Sequence, residues 1–299
     1  HDILLIMVRV LVIGSSGYIG SRLCHELVNL NYIVSGCDIS KPDFNQENIT
    51  FIHKNYKDLS ISELEKYKCI FWFAGHSTVS KSIDDPFGSF TNNVSDLLDL
   101  SKKLDDLKIK MIYASSASLY SSSNNAFSLI ANEERSNPYD SSKLSFDMVV
   151  NTLKYNVLGL RMGTVAGWAP KIRMETLFNS LNYNAYHNAL INITNASNFR
   201  AILYIDDLMH FLINELDINL TQETTSQLPL SSWSGSIGTL GCEVANFWHV
   251  PIHFGKDDGT YSFVATDKYL KSNIEQSLFY KPTSERCNQF ASMMNWKKK

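Results

Sequence analysis

A phenol and an amine four residues apart are the first pair in this chain that could do chemistry. Tyr139 and Lys143, in Pro138-Tyr139-Asp140-Ser141-Ser142-Lys143, share one face if the segment is helical. A phenol titrates near about pH 10 in water. A neighbouring ammonium favours the phenolate and lowers that value. The pair could therefore act as a base near neutral pH. The same spacing also suits a surface tyrosine–lysine contact, so its surroundings decide. Earlier in the chain, Ala114-Ser115-Ser116-Ala117-Ser118-Leu119-Tyr120 gathers hydroxyls behind an apolar run. Hydroxyls at a strand end can orient a substrate oxygen, and they are also ordinary turn chemistry.

A second pattern concerns phosphate. Gly14, Gly17 and Gly20 follow the apolar run Val8 to Ile13, and Leu23, Leu27, Val28 and Leu30 then recur at helical spacing. Strand, glycine turn and helix form the context of a dinucleotide site. Glycine allows a tight turn and a close approach to pyrophosphate. The opening helix offers free N–H groups and the positive end of its dipole. The spacing is G-x-x-G-x-x-G rather than G-x-G-x-x-G. A second apolar run, Tyr32 to Cys37, ends in Asp38, 18 residues past Gly20. A carboxylate there can meet the adenosine ribose hydroxyls, and it repels a 2′-phosphate. The expected cofactor is therefore NAD rather than NADP.

These groups need a frame. Apolar runs recur at Ile49 to His53, Cys69 to Phe73, Ile109 to Ala114 and Val157 to Met162, with helical patterns over Phe90 to Leu104 and Ser141 to Leu153. The alternation predicts an α/β fold: a doubly wound, Rossmann-type parallel sheet covered on both faces. Ligands then belong at the carboxyl ends of the strands. Asp58-Leu59 follows the third strand, where the acid could reach the adenine amino group or cap a helix. Phe73-Ala74-Gly75-His76 follows the fourth, where small residues permit close approach to a cofactor. His76 reads more simply as a loop histidine than as a base.

Composition sets outer limits. The chain has 299 residues, 44% of them apolar, a formal charge of −3 and no basic block beyond a terminal lysine run. No nucleic-acid partner and no membrane span are expected. The first six residues lack the pattern of a secretory signal, and Met7 is the expected native start. The five cysteines, Cys24, Cys37, Cys69, Cys242 and Cys287, show no metal-ligand spacing. No metal is expected, and buried free thiols in a reducing cytoplasm are.

Taken together and in order, the motifs resemble the extended short-chain dehydrogenase/reductase family, in its nucleotide-sugar epimerase/dehydratase branch. The resemblance runs from Val8 to about Leu212. It is carried by Gly14-Ser-Ser-Gly-Tyr-Ile-Gly20, Phe73-Ala-Gly75 with Asn92-Asn93-Val94, and Ser115-Ser-Ala-Ser-Leu-Tyr120. Tyr139 with Lys143, Leu160-Arg-Met-Gly-Thr-Val-Ala-Gly167 and Asn198-Phe-Arg-Ala-Ile-Leu-Tyr-Ile-Asp-Asp207 complete it. The resemblance implies a catalytic set of Ser116, Tyr139 and Lys143, with Ser116 donating a hydrogen bond to the reacting oxygen. It implies NAD contacts from Gly14, Gly17, Tyr18, Ile19, Gly20, Asp38, Asp58, Leu59, Phe73, Ala74, Gly75 and Asn93, with Tyr139 and Lys143. Substrate contacts would come from Ser77, Ser116, Ser118, Thr164, Asn179 and Arg200, the last two at the diphosphate. A guanidinium suits phosphate oxygens through paired, charge-assisted bonds. The implied partners are a nucleotide sugar and a second copy of the chain.

The expected domains are an NAD-binding unit over 7–165, rejoined by 198–215, and a substrate lobe from 166–197 and 216–299. Thr221 to Gly241, rich in Ser, Thr and Gly, reads as loop. Tyr261 to Val264 reads as a strand, and Thr266-Asp267 as the cap of a helix over Lys268 to Ile274. Pro251 argues against a helical metal pair of His249 and His253. By the same resemblance, dehydration is disfavoured: Ala117-Ser118 stands where the dehydratases are expected to carry an Asp-Glu pair. The expected activity is NAD-dependent epimerisation of a nucleotide sugar. The alternatives are a keto-sugar reductase and a non-catalytic nucleotide-binding Rossmann protein.

Overall fold

Strand β1 (Arg9–Ile13) is apolar at every position after the first, because both of its faces are covered. Val10 and Val12 point into one core layer and Leu11 and Ile13 into the other. The same alternation recurs along the neighbouring strands. This is why the sheet reads as unbroken apolar runs rather than as a two-residue period. The computed structural model describes residues 8–45, 47–120, 137–217, 225–257 and 281–297.

Helix α1 (Tyr18–Asn29) follows β1, then β2 (Ile33–Asp38), β3 (Ile49–His53), α2 (Ile61–Leu64) and β4 (Cys69–Trp72). Two short helices, α3 (Val79–Asp84) and α4 (Pro86–Phe90), lead through a π-helical turn, Thr91–Ser95, into α5 (Asp96–Leu107). Then come β5 (Lys110–Ser116), α6 (Pro138–Val150), β6 (Val157–Met162), β7 (Thr164–Ala166), α7 (Leu177–Asn188), β8 (Ile191–Ile193) and β9 (Phe199–Tyr204). Helix α8 (Ile205–Asp217), β10 (Thr225–Leu230), β11 (Trp233–Ser236), α9 (Ile237–Trp248), β12 (Ile252–Phe254) and α10 (Thr283–Met293) complete the described elements.

Seven strands form one parallel sheet in the order β10-β6-β5-β4-β1-β2-β3. Leu23, Leu208, Met209 and Leu212, from α1 and α8, cover one face. Leu97, Leu100, Leu104 and Phe146, from α5 and α6, cover the other. A separate sheet, β11-β9-β7, and the pair β12-β8 carry the smaller lobe, cored by Phe178, Leu240, Val244, Trp248 and Phe290.

The expected sheet strands are all present within a residue or two. Three expectations need correction. Thr225–Leu230 is no part of the lobe but the edge strand of the main sheet, paired along β6. Phe199–Tyr204 pairs with β7 and β11, not with the main sheet, although α8 after it does pack there. Within the stretch expected as loop from Thr221 to Gly241, the described residues 225–241 hold two strands and the start of α9. The strand expected at Tyr261 to Val264, the cap at Thr266-Asp267 and the helix over Lys268 to Ile274 lie outside the described residues.

Candidate active site

The glycine turn is built from backbone. Gly14 has φ +86°, and a Cβ there would lie 2.6 Å from the Phe73 carbonyl carbon and 2.7 Å from the Ala74 nitrogen. A side chain at Gly20 would come within 2.1 Å of the Gly14 carbonyl oxygen. These contacts bring the end of β1 against the end of β4 and seat α1 on the turn. Gly17 is the N-cap of α1 and offers no side-chain cap. The first helical bond runs from the Ser21 N–H to the Gly17 carbonyl. The N–H groups of Tyr18, Ile19 and Gly20 therefore stand outside the ladder of the helix, as an anion site requires.

Asp38 closes β2 beside that turn. Its carboxylate accepts from the Ser16 N–H at 3.0 Å and the Ser40 N–H at 2.9 Å, while Ser16 Oγ donates to the Ser40 carbonyl at 2.8 Å. The acid is thus held at the lip of the turn, half-exposed. Asp58 lies exposed in a short 3₁₀ turn, Tyr56–Asp58. It caps nothing. Asn55 caps that turn, and Ser60 with Glu63 forms the capping box of α2. Leu59 is fully buried in the core beneath. Tyr18 directs its hydroxyl to the Gly167 carbonyl at 2.6 Å, and burial pushes its ionisation up. That leaves its backbone, not its ring, for a cofactor.

The polar cluster assembles where β4, β5 and α6 meet. Lys143 is buried, and its Nζ donates to the Ala114 carbonyl at 2.7 Å. It lies 4.9 Å from the centre of the Trp72 ring and 5.9 Å from that of Tyr139. A Cβ at Gly75 would stand 3.0 Å from Lys143 Nζ and 3.0 Å from the Trp72 ring, so a side chain there would press on the amine. Burial lowers the Lys143 pKa to about 8, and the charge of Asp147 partly offsets this. Tyr139 is half-buried in the first turn of α6. Ser116 ends β5, with its Oγ 2.7 Å from Ser118 Oγ.

Asn93 lies in the π-helical turn, a device common at functional sites. Its Oδ1 accepts from the His76 N–H at 2.9 Å, and its Nδ2 donates to Ser142 Oγ at 3.0 Å and the His76 carbonyl at 3.3 Å. It ties the loop after β4 to α6. His76 itself is clamped by its backbone, with Nδ1 buried and without a hydrogen-bond partner among the described residues. Phe73 and Ala74 are half-buried beside the glycine turn, and Ser77 is exposed one residue past His76.

The lobe presents Thr164 on β7 and Arg200 on β9, both half-buried. Ala201, next to Arg200, packs on Ala117 and Tyr120 just beyond Ser116, which brings this strand to the cluster. Asn179 does not fit its expected role. It is fully buried; its Oδ1 accepts from the Gly167 N–H at 2.8 Å, and its Nδ2 donates to the Arg173 carbonyl at 2.9 Å. Its amide braces the chain around Gly167 and has no edge left for a diphosphate.

Two groups escaped the sequence reading. Asp147 is four residues past Lys143, on the same helix face. It accepts from Tyr113 Oη at 2.7 Å, Ser115 Oγ at 2.9 Å and Arg161 Nε at 2.8 Å, bolting α6 to β5 and β6. The stripe Tyr139, Lys143, Asp147 at successive fourth positions was its signal. Asp140 is the other. It is buried, accepts from Ser118, and has no such pattern to reveal it.

A parallel Rossmann sheet with a glycine turn at the end of β1, and with Ser116 at the end of β5 near a half-buried tyrosine and a buried lysine, belongs to an NAD-dependent enzyme of the extended short-chain dehydrogenase/reductase type. The chain belongs to the NAD dependent epimerase/dehydratase family, whose model matches residues 10–217. It is 29% identical over 183 residues to a UDP-glucose 4-epimerase of Mycoplasma genitalium, covering 53% of each chain. It is 26% identical over 252 residues to protein CapI of Staphylococcus aureus, covering 76% of this chain and 73% of that one. The chain thus spans about half the length of the UDP-glucose 4-epimerase first named. Among solved structures, it resembles a UDP-glucose-4-epimerase from Stenotrophomonas maltophila with bound NAD and formylated UDP-arabinopyranose. The TM-score is 0.80 at 18% identity, over 96% of this chain and 99% of that one. A UDP-glucuronic acid 4-epimerase from Bacillus cereus, in complex with UDP-glucuronic acid and NAD, gives 0.77 at 20% identity, over 96% and 99%. At these identities the structural likeness is one of fold. The cofactor of the family is NAD, and the side-chain-free cradle at Gly14, the open N–H groups of α1 and the carboxylate of Asp38 fit it.

Proposed function

We propose that this protein is an NAD-dependent nucleotide-sugar epimerase, acting first on the C4 hydroxyl of a UDP-hexose. The observation that carries the reading is the placement of Lys143 within 5.9 Å of the Tyr139 ring, at the strand ends that also hold Gly14 and Ser116. When bound at the glycine turn, NAD supplies a reversible hydride acceptor. The rest falls to the chain. Tyr139 takes the hydroxyl proton at its phenolate oxygen and later returns it. Lys143 holds a positive charge beside that oxygen and favours its ionised form. Ser116 hydrogen-bonds the reacting oxygen. Asp38 engages the adenosine ribose, and Asp58 the adenine. Arg200 binds the sugar diphosphate, with Thr164 and Ser77 lining the approach. Binding energy from the distant nucleotide serves to orient the sugar.

The test is a panel of UDP-, GDP-, CDP- and dTDP-sugars incubated with protein and NAD, with products read by NMR. Interconversion without net NADH supports epimerisation. Stoichiometric oxidation of added NADH with a keto-sugar supports a reductase instead. Tyr139→Phe is expected to lower turnover about 10³-fold while leaving NAD binding unchanged; normal turnover in that variant rules the mechanism out.

The same reading includes a homodimer. Ile83 on α3, Phe87 and Phe90 on α4 and Met148 on α6 are all exposed, Phe87 at 87%. A second copy would cover these apolar side chains across a twofold axis. Sedimentation should show a dimer that Phe87→Asp dissociates. The five free cysteines suit a reducing compartment such as the cytoplasm, and no described helix is long and apolar enough to cross a membrane.

A further inference from the structure

The hydroxyls beyond β5 end on a carboxylate. Ser118 Oγ donates to Asp140 Oδ1, and Asn137 Nδ2 donates to Asp140 Oδ2 at 2.7 Å. Asn137 cannot be turned over, because its Oδ1 accepts the Asp140 N–H at 2.8 Å. Both carboxylate oxygens therefore face donors. Asp140 also lies in the first turn of α6, where the helix dipole favours negative charge. An ionised carboxylate only accepts, and a serine hydroxyl has one hydrogen to give.

The direction of the chain follows. The hydrogen of Ser118 goes to Asp140, so the 2.7 Å contact between Ser118 and Ser116 must be donated by Ser116. The Ser118 N–H also donates to Ser116 Oγ, at 3.2 Å. Ser116 then has no hydrogen left for a ligand and one lone pair free. This reverses the donor role that family resemblance assigns to it.

We infer that Asp140 is a positioning residue of the active site: acting through Ser118, it fixes Ser116 as a hydrogen-bond acceptor, so that the resting site takes a sugar hydroxyl in preference to a ketone. The inference rests on the nucleotide-sugar reading for its ligand, but not for the order of its hydrogens. A hydroxyl at the reacting carbon meets two acceptors, the Tyr139 phenolate and Ser116, and its hydrogen can bridge them. A carbonyl oxygen, which can only accept, would find the lone pair of Ser116 instead.

Neutron diffraction from deuterium-exchanged crystals tests the order directly. The Ser118 deuteron should point at Asp140 and the Ser116 deuteron at Ser118. A deuteron on Asp140, or a Ser118 deuteron pointing at Ser116, overturns the inference whatever the protein binds. Ligand preference gives the second measurement, in a Tyr139→Phe background where Ser116 is the remaining acceptor. NAD-loaded protein is titrated with UDP-glucose and with UDP-4-deoxy-4-fluoroglucose, whose fluorine cannot donate. UDP-glucose should bind about three- to tenfold tighter. Adding Ser118→Ala or Asp140→Asn should bring the two ligands to near parity, a change that simple loss of stability would not produce. An undiminished preference in both variants also overturns the inference. If neither ligand binds, the nucleotide-sugar reading fails and the neutron map still decides the hydrogen order.

Discussion

The two halves of the candidate site are built from different material. At the dinucleotide end the work falls to backbone: Gly14, Gly17 and Gly20 contribute the absence of side chains, and α1 contributes N–H groups. At the proposed sugar end it falls to buried polar side chains, Lys143, Asp140, Asp147 and Ser116, each held by others. A backbone cradle tolerates nothing extra. A side-chain cluster instead tolerates nothing missing, because each loss leaves a buried partner unsatisfied. Substitutions can separate the two kinds of construction.

The largest effect is expected at the cradle. Gly14→Ala must force a left-handed backbone and push a methyl to within 2.6 Å of the Phe73 carbonyl carbon. A loss of about 3–5 kcal/mol in stability should follow, with NAD binding abolished. Thermal melts and NAD titration check it, and an Ala variant that binds NAD normally would break the contrast. Next comes the sugar end. Asp147→Asn strands Arg161 and should cost about 3 kcal/mol in urea unfolding. It also removes the charge that raises the Lys143 pKa. The alkaline limb of kcat/KM, where the Lys143 ammonium is lost, should therefore move to lower pH.

A comparable effect, visible only as a pH slope, belongs to Lys143 itself. In the fold it titrates at about 8, against 10.5 ordinarily. Between those values the unfolded chain holds the proton and the folded chain does not. Stability should therefore rise across that window, by about 3 kcal/mol. Lys143→Met should flatten the rise and abolish turnover, as chemical denaturation at each end of the window would show. The smallest effect is expected at Asp58, which is exposed and caps nothing. Asp58→Ala should leave stability within about 0.5 kcal/mol and weaken NAD by no more than a few-fold, read by calorimetry.

The same contrast explains what could be read in advance. Strands β1, β2, β4, β5 and β6 were legible because strands buried on both faces need apolar residues at nearly every position. The glycine turn and Asp38 were legible because backbone geometry admits few residue types. The tail was not. Strand β10, Thr-Ser-Gln-Leu-Pro-Leu, is polar and carries Pro229, which an edge strand accepts and a sequence reading rejects. Helix α9 contains Gly238 and Gly241, which read as breakers. A Cβ at Gly241 would lie 1.8 Å from the end of the Ile193 side chain of β8, so glycine lets α9 seat close to that strand. Asn179 misled in the opposite direction: an amide expected at a phosphate turned out to be a brace.

By itself the sequence determined the order of strands and helices through β6, the glycine turn and the tyrosine–lysine spacing, since each depends on local periodicity or on residue type. The tertiary structure decided which hydroxyl gives its hydrogen to which acceptor. It set Asp140 under Ser118 and Asp147 behind Lys143, and it returned β10 to the sheet edge. Those outcomes depend on groups far apart in the chain meeting in a space from which water is excluded. There a single carboxylate fixes the direction of its neighbours' hydrogen bonds, and no spacing along the chain encodes that.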